Sequence, residues 1–218
     1  MHLEVLIEDK SGAVVMRHLL ADMLDKTPHT WTVRPHRGKG YWPENWDAVP
    51  KHMASGLYDL LPAKLRAYAD QYSDQSWTLV VIVDSDTDHP DDVTARIRSA
   101  AARYAGRLPV VIGVSVEEME AWLLGDPQAI REAYPEADMS WMARYRQDSI
   151  CGTWEILAHV LMGTRADRLI KVGYPAVGQF KSEWAEQIAP CMAAERNRSP
   201  SFQKLRKALL KVLEQEAL

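Results

Sequence analysis

The run Leu79-Val80-Val81-Ile82-Val83, followed at once by Asp84-Ser85-Asp86, constrains this chain more than any other stretch. Branched apolar residues without polar alternation, too few for a long helix, predict a strand buried on both faces, as in a parallel sheet. Ligands of open α/β sheets bind just outside the carboxyl ends of the strands, and this strand delivers its carboxylates there. Two acids at i, i+2 with no base beside them repel each other unless a cation lies between them. Asp84 and Asp86 are therefore candidate metal ligands. Asp88, Asp91 and Asp92 also suit a helix start, where acids are favoured and Pro90 fits the first turn. Asp88 is kept as a further candidate ligand.

The flanking segments repeat the same alternation. Residues 3–7 read as a short apolar strand ending at Glu8, and Asp9-Lys10-Ser11-Gly12 as a turn. A helix follows with Val15, Leu19, Leu20, Met23 and Leu24 on one face. Residues 29–36 read as a second strand and Arg37 to Pro43 as a basic, glycine-bearing loop. The spacing predicts a helix over 53–72, kinked or split by Pro62. After the central strand come a helix with Val93, Ile97 and Tyr104 inward and a strand over 110–114. A capping box is expected at Ser115-Val116-Glu117-Glu118, and a further helix start at Asp126-Pro127. Residues 1–138 thus predict an α/β domain with a mainly parallel, helix-covered sheet. Beyond Asp138 the strand signals stop. Helices are expected over 141–146, 153–162, 177–192 and 202–213, so 139–218 reads as an all-α region packed on the α/β domain.

Composition sets limits on partners. The 218 residues are 47% hydrophobic and 26% charged, an ordinary globular balance. No run approaches a membrane span and no signal-peptide pattern opens the chain, so no membrane association and a cytoplasmic location are expected. Cys151 and Cys191 provide neither a disulfide framework nor zinc spacing, and His159 has no second His or Cys at metal spacing. No GxxxxGK[ST] loop exists for ATP phosphates. A net charge of -4 exerts no global pull on nucleic acid, so any such site must be a local basic patch or use a bridging metal. Arg34, His36, Arg37 and Lys39, followed by Tyr41 and Trp42, form one such patch; an exposed loop anchored by its aromatics is the plainer reading. A second basic stretch runs from Arg196 to Lys211 and reads mainly as a solvated helix face. Lys181, Asn197 and Ser199 are phosphate contacts only if that segment folds back over the sheet edge.

A third group of acids, Glu117, Glu118 and Glu120, follows the 110–114 strand. Val116, Glu120 and Leu124 would share a helix face, so Glu120 is expected to point inward and Glu118 outward. An inward acid needs a partner, either a metal ion or a structural salt bridge with an arginine.

Glu8 in VLIEDKSG and Asp84/Asp86 in VVIVDSDTD together resemble the Toprim fold of topoisomerases, primases and OLD-type nucleases. The chain is most similar to a Toprim-like family of bacterial defence and mobile elements often encoded beside an ABC-type ATPase. Glu117 to Trp122, Ser149 to Glu155 and Ser199 to Phe202 belong to that resemblance. Toprim proteins usually carry Gly directly after the first Glu; here it is Asp9, with Gly12 as partial compensation. The resemblance implies Mg²⁺ (or Mn²⁺) held by Asp84 and Asp86. Glu8 would complete the shell or take a proton from the attacking water, and Glu120 would help hold a second ion. Lys10 or Lys39 would stabilise phosphate charge, and Arg37, Lys39 and Lys181 would bind substrate. The expected activity is metal-dependent endonuclease cleavage of DNA or RNA, in an antiviral effector controlled by a partner ATPase, with self-association left open. Asp84-Ser85-Asp86 also resembles the nucleophile motif of haloacid-dehalogenase-type phosphatases and the DxD of glycosyltransferases, neither of which explains Glu8. The non-enzymatic alternative is a silent Toprim-like scaffold regulating an ATPase.

Overall fold

The structure, a computed structural model, describes residues 1–72 and 76–215. Its centre is a four-stranded sheet, β1 (His2–Ile7), β2 (Thr30–Pro35), β3 (Trp77–Asp84) and β4 (Val110–Ser115), in the order β2-β1-β3-β4. Every pairing is parallel, so the expected α/β class holds. Parallel pairing needs long crossovers, and helices supply them: α1 (Lys10–Met23), α2 (Leu57–Tyr72) and α3 (Pro90–Tyr104) lie between successive strands.

The branched residues of β3 feed two cores because side chains alternate across a strand. Val80 and Ile82 join Leu3, Val5 and Ile7 of β1 and the apolar stripe of α1 on one face. Leu79, Val81 and Val83 meet α2 and α3 on the other. Burying both faces explains the absence of polar alternation in this strand. Pro62 lies inside α2 without splitting it, and the helix starts later than expected, at Leu57.

The remaining helices are α4 (Glu120–Leu124), α5 (Pro127–Ala133), α6 (Thr153–Met162), α7 (Ala166–Val172), α8 (Ala176–Ile188) and α9 (Pro200–Gln215), with 3-10 turns at Met139–Arg144, Gly163–Arg165 and Ala189–Cys191. They share the first core: Leu157, Val177, Trp184, Phe202, Leu205 and Leu209 are buried in the same cluster as Leu3 and Val80. The helical segment therefore covers the α1 face of the sheet; residues 216–218 lie outside the described residues. Leu205 of α9 sits so close to β4 that a Cβ at Gly113 would lie 2.9 Å from it.

The helix expected over 141–146 is instead a 3-10 turn, and two further expectations fail at the strand exits. Ser115 is the last residue of β4, not a helix cap, and α4 begins only at Glu120 with Met119 as its N-cap. The hydroxyl of Ser115 instead donates to the Asp84 carboxylate on the neighbouring strand. Residues 10–12 are the first turn of α1 rather than a loop: Asp9 caps the helix, accepting from the Gly12 N–H at 2.7 Å and the Ser11 hydroxyl at 2.7 Å. Asp9 is thus a capping residue.

Candidate functional site at the tips of β1 and β3

β1 and β3 are neighbours, with Ile7 level with Ile82, so Glu8 and Asp84 emerge side by side at the carboxyl edge of the sheet. Glu8 Oε2 accepts from the Asp84 backbone N–H at 3.2 Å. Burial, then the nearby charge of Asp86, pushes the Glu8 carboxyl up to about 7, against the opposing pull of the Asp84 N–H and Lys39. Burial pushes Asp84 up as well, reinforced by Glu8 and Glu120; Lys181 and the Ser115 hydroxyl only partly offset this. Two carboxylates in such a place do not both carry charge comfortably without a proton or cation between them.

The other acids have different roles. Asp86 is exposed, takes a left-handed backbone (φ 50°) and pairs with Lys39 Nζ at 2.8 Å. Its own N–H donates to the Glu117 carbonyl at 2.8 Å, which fixes the turn after β3 against the β4 exit. Asp88 is exposed and lines a cavity with Lys39, Tyr58 and Arg96. Glu120 is fully buried, as its inward position required, but its partner is a lysine rather than an arginine. Lys181 of α8 lies 2.9 Å from Glu120 Oε2 and 3.5 Å from Glu118 Oε1. Burial alone would lower the Lys181 pKa; Glu120, Glu118 and Asp84 reverse that and hold the ammonium charged. Glu118 is less outward than expected: burial, with Glu120 and Glu155 adding to it, raises its carboxyl to about 7. Its Oε2 is buried with no hydrogen-bond partner among the described residues.

The helical segment is tied to this edge by two further acids. The Glu117 carboxylate accepts the backbone N–H groups of Cys151 (3.1 Å), Gly152 (3.0 Å) and Thr153 (2.9 Å), together with the Thr153 hydroxyl. It therefore caps α6 from a distant loop, itself in a left-handed conformation (φ 63°). Asp148 accepts from the Ser199 hydroxyl at 2.8 Å and the Ser201 N–H at 2.6 Å, holding the start of α9, and Ser201 accepts from Trp122 Nε1 at 2.9 Å. The segments 117–122, 149–155 and 199–202 thus meet in space.

Several candidate contacts are structural. Asn197 and Ser199 are buried; Asn197 donates to the Trp122 carbonyl at 2.7 Å and accepts from the Ser199 N–H at 2.9 Å, so neither is placed to hold phosphate. Arg34 is committed to Glu4, which also takes the Tyr68 hydroxyl. Gly12 serves packing rather than phosphate approach, since a Cβ there would lie 2.9 Å from Ile7 Cδ1 and 3.2 Å from Met119 Cε. His159 stacks on Trp141 (4.0 Å between centroids). Glu117 belongs to the third acid group, but its capping of α6 is not visible in the sequence; Glu4 and Asp148 are not candidates there, although Glu4 shares the parity of Leu6 within an apolar strand and had to be buried with a partner.

Lys10, His36, Arg37, Tyr174 and Lys181 surround a cavity of about 460 Å³ beside Asp9. A second, of about 580 Å³, opens between Lys39, Tyr41, Trp42, Asp86 and Arg96. Among the described residues no three His, Cys, Asp or Glu side chains form a ready-made metal cage, and no helix is long and apolar enough to cross a membrane.

No curated protein and no solved structure matches the chain. The domain of unknown function DUF4276 matches residues 7–210, from the end of β1 into α9, and the chain belongs to that family.

Proposed function

We infer that the strand-tip acids form a Toprim-type site for divalent-metal-dependent hydrolysis of nucleic-acid phosphodiesters. The observation that supports this most is the Glu8–Asp84 pairing: two acids at neighbouring strand tips, both carboxyls pushed up, with the Glu8 carboxylate accepting from the Asp84 backbone N–H at the ligand-binding edge of a parallel sheet. The donor set fits Mg²⁺ or Mn²⁺, being all oxygen and short of positive charge, and Mg²⁺ binds through one or two carboxylates while keeping several waters. Glu8 and Asp84 would hold the ion, with Asp86, now paired to Lys39, as the third acid. Bound there, a divalent ion supplies Lewis-acid polarisation of the phosphoryl group and a more acidic water.

The chain's own groups complete the site. Glu8 would complete the shell of the ion or, outside that shell, take a proton from the attacking water. Lys181, held charged by Glu118 and Glu120, fixes positive charge near Asp84. This assigns Glu120 to positioning Lys181 rather than to a second ion. Lys10 and Lys39 line the cavities on either side, and both would neutralise phosphate oxygens, Lys39 on release from Asp86. Action as a defence effector under a partner ATPase rests on the Toprim-like resemblance.

The second reading, a silent scaffold for an ATPase, draws on the two ion pairs, Lys39–Asp86 and Lys181–Glu120, that already neutralise part of the acid cluster. Incubation of the purified protein with labelled DNA and RNA, and with bis-p-nitrophenyl phosphate, in Mn²⁺ or EDTA separates them. Cleavage that needs the metal and disappears in Asp84→Asn is expected. Undiminished cleavage in that variant, or none under any condition, would overturn the nuclease reading.

A further inference from the structure

The two cavities flanking the acids are joined by one loop. His36, Arg37 and Gly38 line the first cavity, and Lys39, Gly40, Tyr41 and Trp42 the second. Midway, the Gly38 N–H donates to the Glu8 carbonyl at 3.0 Å. The loop is pinned on its other side as well, because the Gly38 and Lys39 carbonyls accept the Leu57 and Tyr58 N–H groups at 3.0 and 2.8 Å. Gly40 closes against α2 so tightly that a Cβ there would lie 2.3 Å from Asp59 Oδ2. A loop pinned to the Glu8 backbone between two cavities defines a track past the strand-tip acids.

Each end of the track carries an exposed aromatic ring and positive charge: Lys10 and Arg37 at one end, and at the other Lys39, paired with Asp86, and Arg96, stacked over Trp42. Among the described residues Tyr41 and Tyr174 are the two exposed aromatics, at 85% and 64%, and they stand in separate cavities, one on each side. Neither ring stacks on another among the described residues, whereas Trp42 is already packed on Tyr58 at 4.6 Å and under Arg96. Lys10 and Arg37 beside Tyr174 make no ion pair among the described residues, and neither does Arg96 near Tyr41. Tyr174 is tethered by a hydrogen bond to Lys181 and Tyr41 stands open, and an exposed ring of this kind offers a face on which a nucleobase stacks whatever its identity.

We propose that the substrate of this site is a single-stranded nucleic acid, its backbone crossing the Glu8–Asp84 edge between Lys10/Arg37 and Lys39/Arg96, with one base stacked on Tyr174 and another on Tyr41. The proposal rests on the nuclease reading and names its substrate class. A duplex keeps its base faces stacked and cannot offer them to either ring, and a chain of net charge -4 has no long-range attraction to make up the loss.

The test is fluorescence anisotropy with a labelled oligonucleotide of about twelve nucleotides, as single strand and as duplex, DNA and RNA, on the full chain with Ca²⁺ in place of Mg²⁺. Single strands should bind roughly tenfold or more tightly than duplexes. Tyr41→Leu and Tyr174→Leu should each weaken single-strand binding by roughly tenfold, and the Tyr→Phe variants should retain it. Equal or tighter duplex binding, unchanged affinity in both Leu variants, or no binding of any oligonucleotide would overturn the proposal. Metal-dependent hydrolysis of bis-p-nitrophenyl phosphate, which offers no strand to stack, reports the chemistry separately. If it persists while the binding results fail, only the substrate assignment falls.

Discussion

The Asp84 backbone N–H donates to Glu8 Oε2 across 3.2 Å, so residues 76 positions apart in sequence share one hydrogen bond at adjacent strand tips. That bond favours a charged Glu8, yet burial and the neighbouring acids outweigh it. The site is thus under electrostatic stress in the absence of a cation, and the stress is measurable as stability.

The Glu8 carboxyl rises from its ordinary 4.5 to about 7 on folding. The folded chain keeps a proton over a range where the unfolded chain has lost it, so this contribution is present below about pH 4.5 and is lost as pH rises through about 7. Glu118 acts in the same window. Without divalent metal, the melting temperature should fall by on the order of 5 °C between about pH 5 and pH 8. Glu8→Gln should remove part of that slope. A melting temperature that climbs across this range would contradict the burial of these acids.

Replacing Asp84 by Asn removes the charge that Glu8 opposes while leaving an acceptor for the Ser115 hydroxyl. Metal-free Asp84→Asn should melt a few degrees higher than the parent near pH 8 and lose roughly 10²-fold or more of any metal-dependent hydrolysis. Calorimetry and a hydrolysis assay on the same preparation check both halves.

Lys181→Met leaves Glu118 and Glu120 buried without their cation. The cost should be about 3–5 kcal/mol, the range for breaking one side of a buried pair. Adding Glu120→Gln should recover part of it, since the orphaned charge is then gone. Urea unfolding of the single and double variants gives the comparison, and strictly additive losses would show that the pair is not coupled.

Burial works against charge on Glu117, but the Thr153 hydroxyl and three backbone N–H groups win and hold its carboxyl below the ordinary range. Its contribution is therefore present above the usual carboxylate value and fades as pH falls through the lowered one. Glu117→Ala should cost about 2 kcal/mol and speed amide exchange at residues 151–153, where its bonds are lost. Protection unchanged at those amides would refute the capping role.

The candidate site was legible in part. Glu8 and Asp84 could be placed at strand ends because each closes an apolar run; Glu120 is inward as expected, though not through a helix face shared with Val116, since α4 begins only at Glu120. The partner of Glu120 was not legible: Lys181 is 61 positions away on a helix whose docking depends on the Trp184, Val177 and Leu157 core. Ser115 misled because a serine followed three residues later by Glu has the pattern of a capping box, while strand pairing with β3 had a stronger claim on it. Asn197 and Ser199 lie among basic residues, and only their burial shows that they hold backbone.

Local chemistry along the chain determined the alternation of strands and helices, the parallel sheet with two buried faces, and the acids that must stand at strand ends, because these depend on side-chain periodicity within a few residues. Tertiary structure decided which tips are neighbours, which lysine answers which glutamate, and where the exposed tyrosines stand relative to the acids. Those pairings join residues tens of positions apart, and only the packing of helices onto the sheet sets the distances between them.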